Sequence, residues 1–152
     1  MNTIVAANPV PLFDRIAGFG EASFDGRLMD SAGLRLSLVR DLSRLMNVRN
    51  GMSIRAFLAS EASVLDYGLP DLLSLSPQSQ LDLETLEAVV RHGIALYEPR
   101  LSHVQVKAVR DPQRHASARI SIAAAVQTGN QLCRVDFDVA MDSASVQLES
   151  VE

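Results

Sequence analysis

The spacing of apolar residues changes once along this chain, close to residue 102, and that change limits the folds open to it. Before this point apolar side chains recur at helical spacing, about every 3.6 residues, as in Leu34, Leu38, Leu42 and Leu45. After it, apolar and polar residues alternate, as in strands with one buried face. Helices followed by strands predict an α+β fold, with N-terminal helices packed on one face of a C-terminal three- to four-stranded antiparallel sheet.

Two long helices are predicted ahead of the strands. The first spans residues 33–46. The second opens with Ser76-Pro77, as N-cap and first helical residue, and stops before Pro99. Within the second helix, Glu87 is placed to pair with Arg91 one turn later. Its apolar stripe, which we expect to face the core, consists of Leu83, Leu86, Val90, Ile94 and Tyr97.

The first helix carries a charged face opposite its apolar stripe. Arg40 and Arg44 lie one turn apart there, and Asp41 is placed to pair with Arg44. This row is either a solvated face or a surface that meets a partner.

The second half of the chain reads as strands joined by short turns, which makes neighbouring strands antiparallel. Their outer face carries Arg, Asp, Ser and Gln, as a solvated or partner-facing sheet would. The predicted strands cover residues 104–109, 118–127 and 133–139, with a short last strand at 145–148.

The first 32 residues form a leader that differs from the rest. Pro9 and Pro11 interrupt regular structure, and three glycines follow before residue 27. Leu12, Phe13 and Ile16 would share one side of a helical turn. This short apolar anchor either folds back on the core of its own chain or acts as a hook for a partner. We therefore predict a flexible leader over residues 1–32 and a single α+β domain over residues 33–152.

The composition limits the classes of function that are open to this chain. The 152 residues suit one domain, and 47% are hydrophobic, so a sizeable core is possible. Fourteen basic residues against 18 acidic ones give a net charge of −4, which disfavours a nucleic-acid binder. The single cysteine, Cys133, fits a reducing compartment. Without a signal peptide or a membrane-length apolar run, a cytoplasmic protein is expected, with no membrane insertion.

Recognisable catalytic and metal-binding patterns are missing. His92, His103, His115 and Cys133 do not follow zinc-ligand spacings, and phosphate-binding, dinucleotide and serine-nucleophile motifs are absent. We predict no catalytic residue, no metal site and no cofactor. Carboxylates that could pair as in a glycosidase exist, as in any chain with 18 acids. They are Glu21, Asp25, Asp66, Asp71 and Glu98.

One short motif stands out at the seam between the second helix and the first strand, Glu98-Pro99-Arg100-Leu101. Proline makes this corner rigid, and a glutamate and an arginine flank it. Such a pair suits charge-assisted hydrogen bonds. These bonds run either to a neighbouring protein or to the chain's own loops, where they would clamp the joint between helix and strand.

The same corner resembles the Glu-Pro-Arg signature of the phage-tail baseplate wedge family, historically labelled lysozyme-like. Three other segments resemble motifs of its type VI secretion branch, the TssE subunits, in the same order and spacing. One departure is Asn50, directly after the second of these segments, where relatives often have a further basic residue following Arg49. These segments are Pro11-Leu12-Phe13-Asp14-Arg15-Ile16, the helix signature over residues 38–49, and Val64-Leu65-Asp66-Tyr67-Gly68-Leu69-Pro70-Asp71.

The resemblance implies a non-enzymatic, cytoplasmic baseplate subunit of a contractile injection machine. Its implied partners are TssF-, TssG- and TssK-like baseplate proteins and a sheath like that of TssB and TssC, whose first ring it would template. By the same resemblance, Glu98, Pro99, Arg100 and Leu101 hold the subunit to the wedge. Further possible partner contacts are Leu12, Phe13, Arg15, Arg40, Arg44, Arg49, Tyr67, Gly68 and Pro70.

Two alternatives remain open. The same wedge role could serve a phage tail or another contractile device. The old label also suggests a peptidoglycan glycosidase with Glu98 as its acid. Arg100 beside Glu98 would keep that carboxyl ionised, which is unsuitable for a general acid at neutral pH.

Overall fold

The structure, a computed structural model, describes residues 8–18, 28–61, 63–141 and 146–151, the last range for its backbone only. Helices come first and the main sheet follows, which confirms the predicted α+β class and order. The helices are α1 (Leu12–Ile16), α2 (Ser31–Asn47), α3 (Ile54–Leu58) and α4 (Gln80–Tyr97), with a 3-10 turn at Val64–Asp66. The strands are β1 (Asn8–Pro9), β2 (Leu28–Met29), β3 (Leu101–Arg110), β4 (Ala118–Thr128), β5 (Gln131–Met141) and β6 (Val146–Val151).

The main sheet is an antiparallel meander in the order β3-β4-β5-β6. β4 and β5 pair without interruption from Ala118↔Met141 to Thr128↔Gln131, around a tight turn in which Gly129 has a φ of 60°. The register of β3 shifts between Ser102 and Gln105, where His103 has a φ of 51°. Both long helices cover the sheet, α4 against β3 and α2 against β6. A separate pair, β1 with β2, joins the two described parts of the leader.

Aliphatic side chains fill the space between the helices and the sheet, as the periodicity predicts. Leu38 and Leu42 of α2 and Val90 and Ile94 of α4 are completely buried. They meet the inward residues of the strands, where alternation places every second side chain on the core face. The most deeply buried strand residues are Ile120, Ile122, Phe137 and Val139.

Two local predictions about α4 are wrong. The helix begins at Gln80, with Ser79 as N-cap accepting from the backbone N–H of Asp82 at 3.3 Å, and not at Ser76-Pro77. The Asp82 carboxylate in turn accepts from the backbone N–H of Ser76 at 2.9 Å, which keeps Ser76-Pro77 in the preceding turn. The Glu87 carboxylate bonds to β3 and not to Arg91.

The turn motif at residues 64–71 is built onto the end of α2. Backbone bonds run from Leu69 N–H to Val48 O at 3.0 Å and from Asn50 N–H to Leu69 O at 2.9 Å. Gly68 has a φ of 116°, and a Cβ there would lie 2.7 Å from the carbonyl oxygen of Val48. This position therefore requires glycine for structural reasons.

A candidate docking site at the junction of α1, α2 and the Glu98 corner

The corner between α4 and β3 is closed by its own ion pair. Glu98 is the C-cap of α4, with its backbone N–H donating to Ile94 O at 2.8 Å. Arg100 turns back over Pro99 and donates from Nε to Glu98 Oε1 at 2.6 Å and from Nη2 to Glu98 Oε2 at 2.7 Å. Both carboxylate oxygens of Glu98 are thereby engaged, and the residue is only 4% exposed. Two-point pairing of this kind is among the strongest polar contacts in proteins.

Arg100 also reaches α2, so the corner is held to the neighbouring helix. Its Nη1 donates to Ser37 Oγ at 3.0 Å and its Nη2 to Asp41 Oδ2 at 2.6 Å. Of the two sequence interpretations, the internal clamp is therefore observed. Leu101 is buried, Pro99 is exposed, and the Arg100 side chain keeps a quarter of its surface. The partner-binding role of these four residues stays a prediction.

The short helix α1 joins the same polar cluster from the other side. Ser37 Oγ donates to Asp14 Oδ2 at 2.7 Å, and Arg40 Nη1 donates to Asp14 Oδ1 at 3.0 Å. Asp14 is 3% exposed and Ser37 is 2% exposed. The Ser37 hydroxyl accepts from Arg100 and donates to Asp14, which links the corner to α1. We call Asp14, Ser37, Arg40, Asp41, Glu98 and Arg100 the charged seam.

Because α1 buries Asp14, its apolar side chains face outward. Leu12, Phe13 and Ile16 are 63%, 76% and 73% exposed, and we call them the apolar patch. Of the two interpretations of these residues, the one in which they pack on the core of the chain is therefore wrong, and the one in which they meet a partner stays a prediction. The anchor is a buried carboxylate, and the apolar patch points into solvent. Arg15, on the same helix, is also exposed.

The charged seam is electrostatically crowded. Burial raises the pKa of Asp41, and the neighbouring carboxylates of Glu98 and Asp14 raise it further, which outweighs the attraction of Arg100. Burial alone would lower the pKa of Arg100, but its hydrogen bonds to Glu98 and the charges of Glu98 and Asp41 raise it overall. Arg100 is therefore the cation that the two carboxylates share.

Two further predicted partner-contact residues, Arg44 and Tyr67, have contacts within the chain. The predicted pair between Asp41 and Arg44 is present at 3.2 Å. Tyr67 contacts Tyr97 edge-on, with ring centroids 5.1 Å apart. Burial raises the pKa of the Tyr67 hydroxyl, and the charge of Asp41 raises it further.

Three of the predicted positions have internal roles. Arg49 donates to the carbonyl oxygen of Met46 at the end of α2. Gly68 and Pro70 are buried within the turn motif. A direct partner contact at these three residues stays a prediction.

A cavity of about 480 Å³ lies elsewhere, near the start of α4, and Glu98 is not in its lining. Its two carboxylates already accept from their own loops, Asp71 from Leu73 N–H and Asp82 from Ser76 N–H, both at 2.9 Å. Within the described ranges, His, Cys, Asp and Glu form no group of three or more that could hold a metal ion. Nor does any helix in those ranges have the length and apolar character needed to cross a membrane.

The sequence signal for this site was incomplete in an instructive way. The sequence indicates the corner and the leader separately but not their connection, because Asp14 lies 23 residues from Ser37 and Arg100 lies 63 residues from it. Ser37 carried no signal at all. The one available indication was Asp14 itself, a charged residue inside the apolar run of α1.

Two solved structures share the fold of this chain. One similar structure is the baseplate complex from the type VI secretion system. Its matching chain is 21% identical, the match covers 80% of this chain and 96% of that one, and the TM-score is 0.51. A second is a crystal structure described as a tail lysozyme from Geobacter sulfurreducens, 15% identical, covering 74% of this chain and 95% of that one, also with a TM-score of 0.51. At these identities the likeness shows a shared fold.

The family itself follows from the sequence. The family model for baseplate wedge protein gp25 matches residues 32–131, which include nearly all of α2, all of α4, the Glu98 corner, and the strands β3 and β4. This chain therefore belongs to the gp25 baseplate wedge family. The search of curated proteins found no match.

Proposed function

We propose that this chain is a non-enzymatic structural subunit of a type VI secretion baseplate. In this role it is cytoplasmic, joins a wedge of TssF- and TssG-like proteins alongside a TssK-like protein, and templates the first ring of a TssB/TssC-like sheath. Membership of the wedge family and the fold likeness to a type VI baseplate complex support the proposal.

The observation that carries the proposal is the apolar patch on a polar anchor. An isolated five-residue helix is unstable in water, yet α1 holds three apolar side chains outward. It does so because Asp14 is bonded to Ser37 and Arg40 of α2. Clustered apolar side chains that a scaffold keeps exposed suit burial against a partner protein.

In this proposal the apolar patch and the Glu98 corner form one docking site. Glu98 is buried, so it acts by holding Arg100, and Arg100 acts on α1 through Ser37. The groups available for direct contact at the surface are the apolar patch, Arg15, Pro99 and the exposed quarter of Arg100. The family signature and the leader motif would then serve the same contact.

The sheet is the proposed contact to the sheath. Its helix-free face carries Arg119, Arg134, Asp136 and Asp138, and an edge strand of the sheet can pair with an added strand. Strand addition would give the first sheath ring a defined position relative to the wedge.

The test is an affinity pull-down of the tagged chain at native expression level, with mass spectrometry of the co-purified proteins. The wild-type chain is expected to bring down TssF-, TssG- and TssK-like proteins, with sheath subunits in smaller amounts. The double variant Phe13→Ser/Ile16→Ser is expected to lose the wedge proteins. A chain that comes down alone would contradict the proposal.

A matched control separates the apolar patch from exposed apolar residues in general. Leu73 and Leu81 are 76% and 72% exposed, close to the values of Phe13 and Ile16. Leu81 lies at the opposite end of α4, about 25 Å along the helix from the corner, and Leu73 lines the cavity near that end. Leu73→Ser/Leu81→Ser should retain the wedge proteins. Equal loss in both double variants would remove the apolar patch from the docking site.

The same wedge role in a phage tail or another contractile device is the second candidate, because the family model is that of a baseplate wedge protein without restriction to one machine. Tail or particle proteins in the pull-down, in place of type VI proteins, would establish it.

A peptidoglycan glycosidase is suggested by the name of the Geobacter structure. The arrangement of Glu98 speaks against it, since both oxygens of its carboxylate are bonded to Arg100 and Glu98 does not line the cavity near the start of α4. Clearing of a cell-wall suspension by the purified chain, abolished by Glu98→Gln, would revive this function.

A further inference from the structure

One edge of the main sheet is occupied by a side chain from a helix. β3 is an edge strand of the sheet, and α4 packs against it. Glu87 of α4 accepts a hydrogen bond from the backbone N–H of Ala108, two residues before the end of β3, at 2.9 Å. Glu87 is 8% exposed, so this is a buried carboxylate bonded to a strand backbone.

The direction of this bond matters for the sheet. The N–H and C=O groups of a strand residue point to the same side, and the side alternates from one residue to the next. Ala108 donates to α4 and not to β4, so its N–H points away from the sheet, at the free edge of β3. A strand added here would have to pair with this same N–H and displace the Glu87 carboxylate.

Two other features of β3 also hinder strand pairing at this edge. The register shift between Ser102 and Gln105 interrupts the regular edge, as bulges do. Lys107 lies on this strand, with its Nζ 3.3 Å from Glu87 Oε1. The hydrogen bond from Ala108, together with Lys107, lowers the pKa of Glu87, so the carboxylate is charged at neutral pH. Bulges, lysines and inward-pointing charges are the devices by which proteins protect edge strands.

The opposite edge of the main sheet, formed by β6, differs from β3 in the regularity of its pairing. β6 pairs with β5 in an unbroken register from Asp136↔Val151 to Met141↔Val146. Within the described ranges, no strand pairs with the other side of β6.

We infer that Glu87 protects the β3 edge from strand pairing, which disfavours dimerisation of two copies of this chain through β3. This protection is a property of the chain alone and does not depend on the baseplate assignment. One consequence does rest on the proposed function: strand addition by a sheath subunit would fall on the β6 side of the sheet.

The experiment compares the self-association of purified full-length variants by sedimentation over a range of concentrations. Glu87→Ala removes the carboxylate and is expected to dimerise at least about tenfold more tightly than the wild-type chain, since a hydrogen bond to a charged group is worth about one decade or more. Glu84→Ala is the matched control, because Glu84 lies on the same helix but is exposed and bonded only within it, to Gln80. Association of Glu87→Ala equal to that of Glu84→Ala, with both folded, would overturn the inference.

Hydrogen exchange locates the contact, and its first comparison uses the wild-type chain alone. In the wild-type chain the amide of Ala108 should exchange at least about tenfold more slowly than that of Arg110, which points to the same edge two residues further on. In dimers of Glu87→Ala, protection should spread along β3. Equal exchange of Ala108 and Arg110 in the wild-type chain would contradict the inference. Both measurements use the purified chain without baseplate proteins, so a failed pull-down would leave this inference standing.

Discussion

The two interfaces of α2 are built from opposite chemistry. Toward the sheet and α4, α2 presents aliphatic side chains such as Leu38 and Leu42, both fully buried. Toward α1 and the Glu98 corner it presents Ser37, Arg40 and Asp41, which meet Asp14 and Arg100 through hydrogen bonds of 2.6–3.0 Å. The first interface stabilises the domain by burying apolar surface, which does not require particular pairs of atoms to meet. The second depends on exact pairing, and it places the apolar patch of α1 in solvent.

The largest expected effect tests the aliphatic side. Leu38→Ala should lower the free energy of unfolding by about 2–5 kcal/mol, because a fully buried leucine leaves a cavity when truncated. Leu36→Ala, on the same helix at 64% exposure, is the control and should change it by less than about 0.5 kcal/mol. Chemical denaturation measures both. Similar losses in the two variants would mean that the core does not lie where the structure places it.

Arg100→Ala tests the charged seam and should lower the free energy of unfolding by about 2–3 kcal/mol. Removing one partner of a buried ion pair costs about 3–5 kcal/mol, and we reduce this because a quarter of the Arg100 side chain is exposed. Glu98 would be left buried and unpaired. Arg100→Lys should recover only part of the loss, since lysine cannot make the two-point contact. A loss under about 0.5 kcal/mol in Arg100→Ala would show that the clamp does not stabilise the fold.

Asp14→Asn separates the leader from the domain. It keeps the size of the side chain but removes the charge that Arg40 and Ser37 bind, at a cost of about 1–2 kcal/mol. The loss should be local: amides of α1 exchange faster, while those of β4 and β5 keep their protection. If the amides of the sheet lost protection equally, α1 would have to be counted as part of the domain core.

The pH dependence distinguishes two carboxylates that lie in different contacts. The pKa of Asp41 is raised in the folded state, so raising the pH through the region above its usual value of about 3.9 weakens folding. The pKa of Glu87 is lowered, so its contribution is present above about 4.3 and is lost as the pH falls through the lowered folded-state value. Asp41→Asn should therefore reduce the decline in the free energy of unfolding as the pH rises above about 3.9. Glu87→Gln should reduce the loss of free energy of unfolding as the pH falls below about 4.3. Unfolding curves measured between pH 3 and 7 report both slopes, and unchanged slopes would contradict the assignments.

The same contrast explains what the sequence could predict. The stripe of α4 and the alternation in β4 and β5 follow from local periodicity, so the fold class and the antiparallel sheet were accessible. The start of α4 was misplaced because Ser76 and Ser79 both resemble N-caps, and the Asp82 carboxylate decides between them. The charged seam could not be predicted, since it joins residues from α1, α2 and the corner. An apolar triplet around Asp14 looks like a core anchor until the partner of Asp14 is known.

Phe13→Ala gives the smallest change in stability and the sharpest test of the comparison. Phe13 is 76% exposed and Phe57 is completely buried. Phe57→Ala should cost about 3–5 kcal/mol, and Phe13→Ala less than about 0.5 kcal/mol. If the apolar patch docks a partner, Phe13→Ala should nevertheless weaken recovery of wedge proteins in the pull-down, because buried aromatic residues dominate the energy of protein interfaces. Retention of the wedge proteins at the wild-type level would mean that α1 is held outward for some reason other than docking. A stability loss near that of Phe57→Ala would mean that the apolar patch is buried within the chain after all.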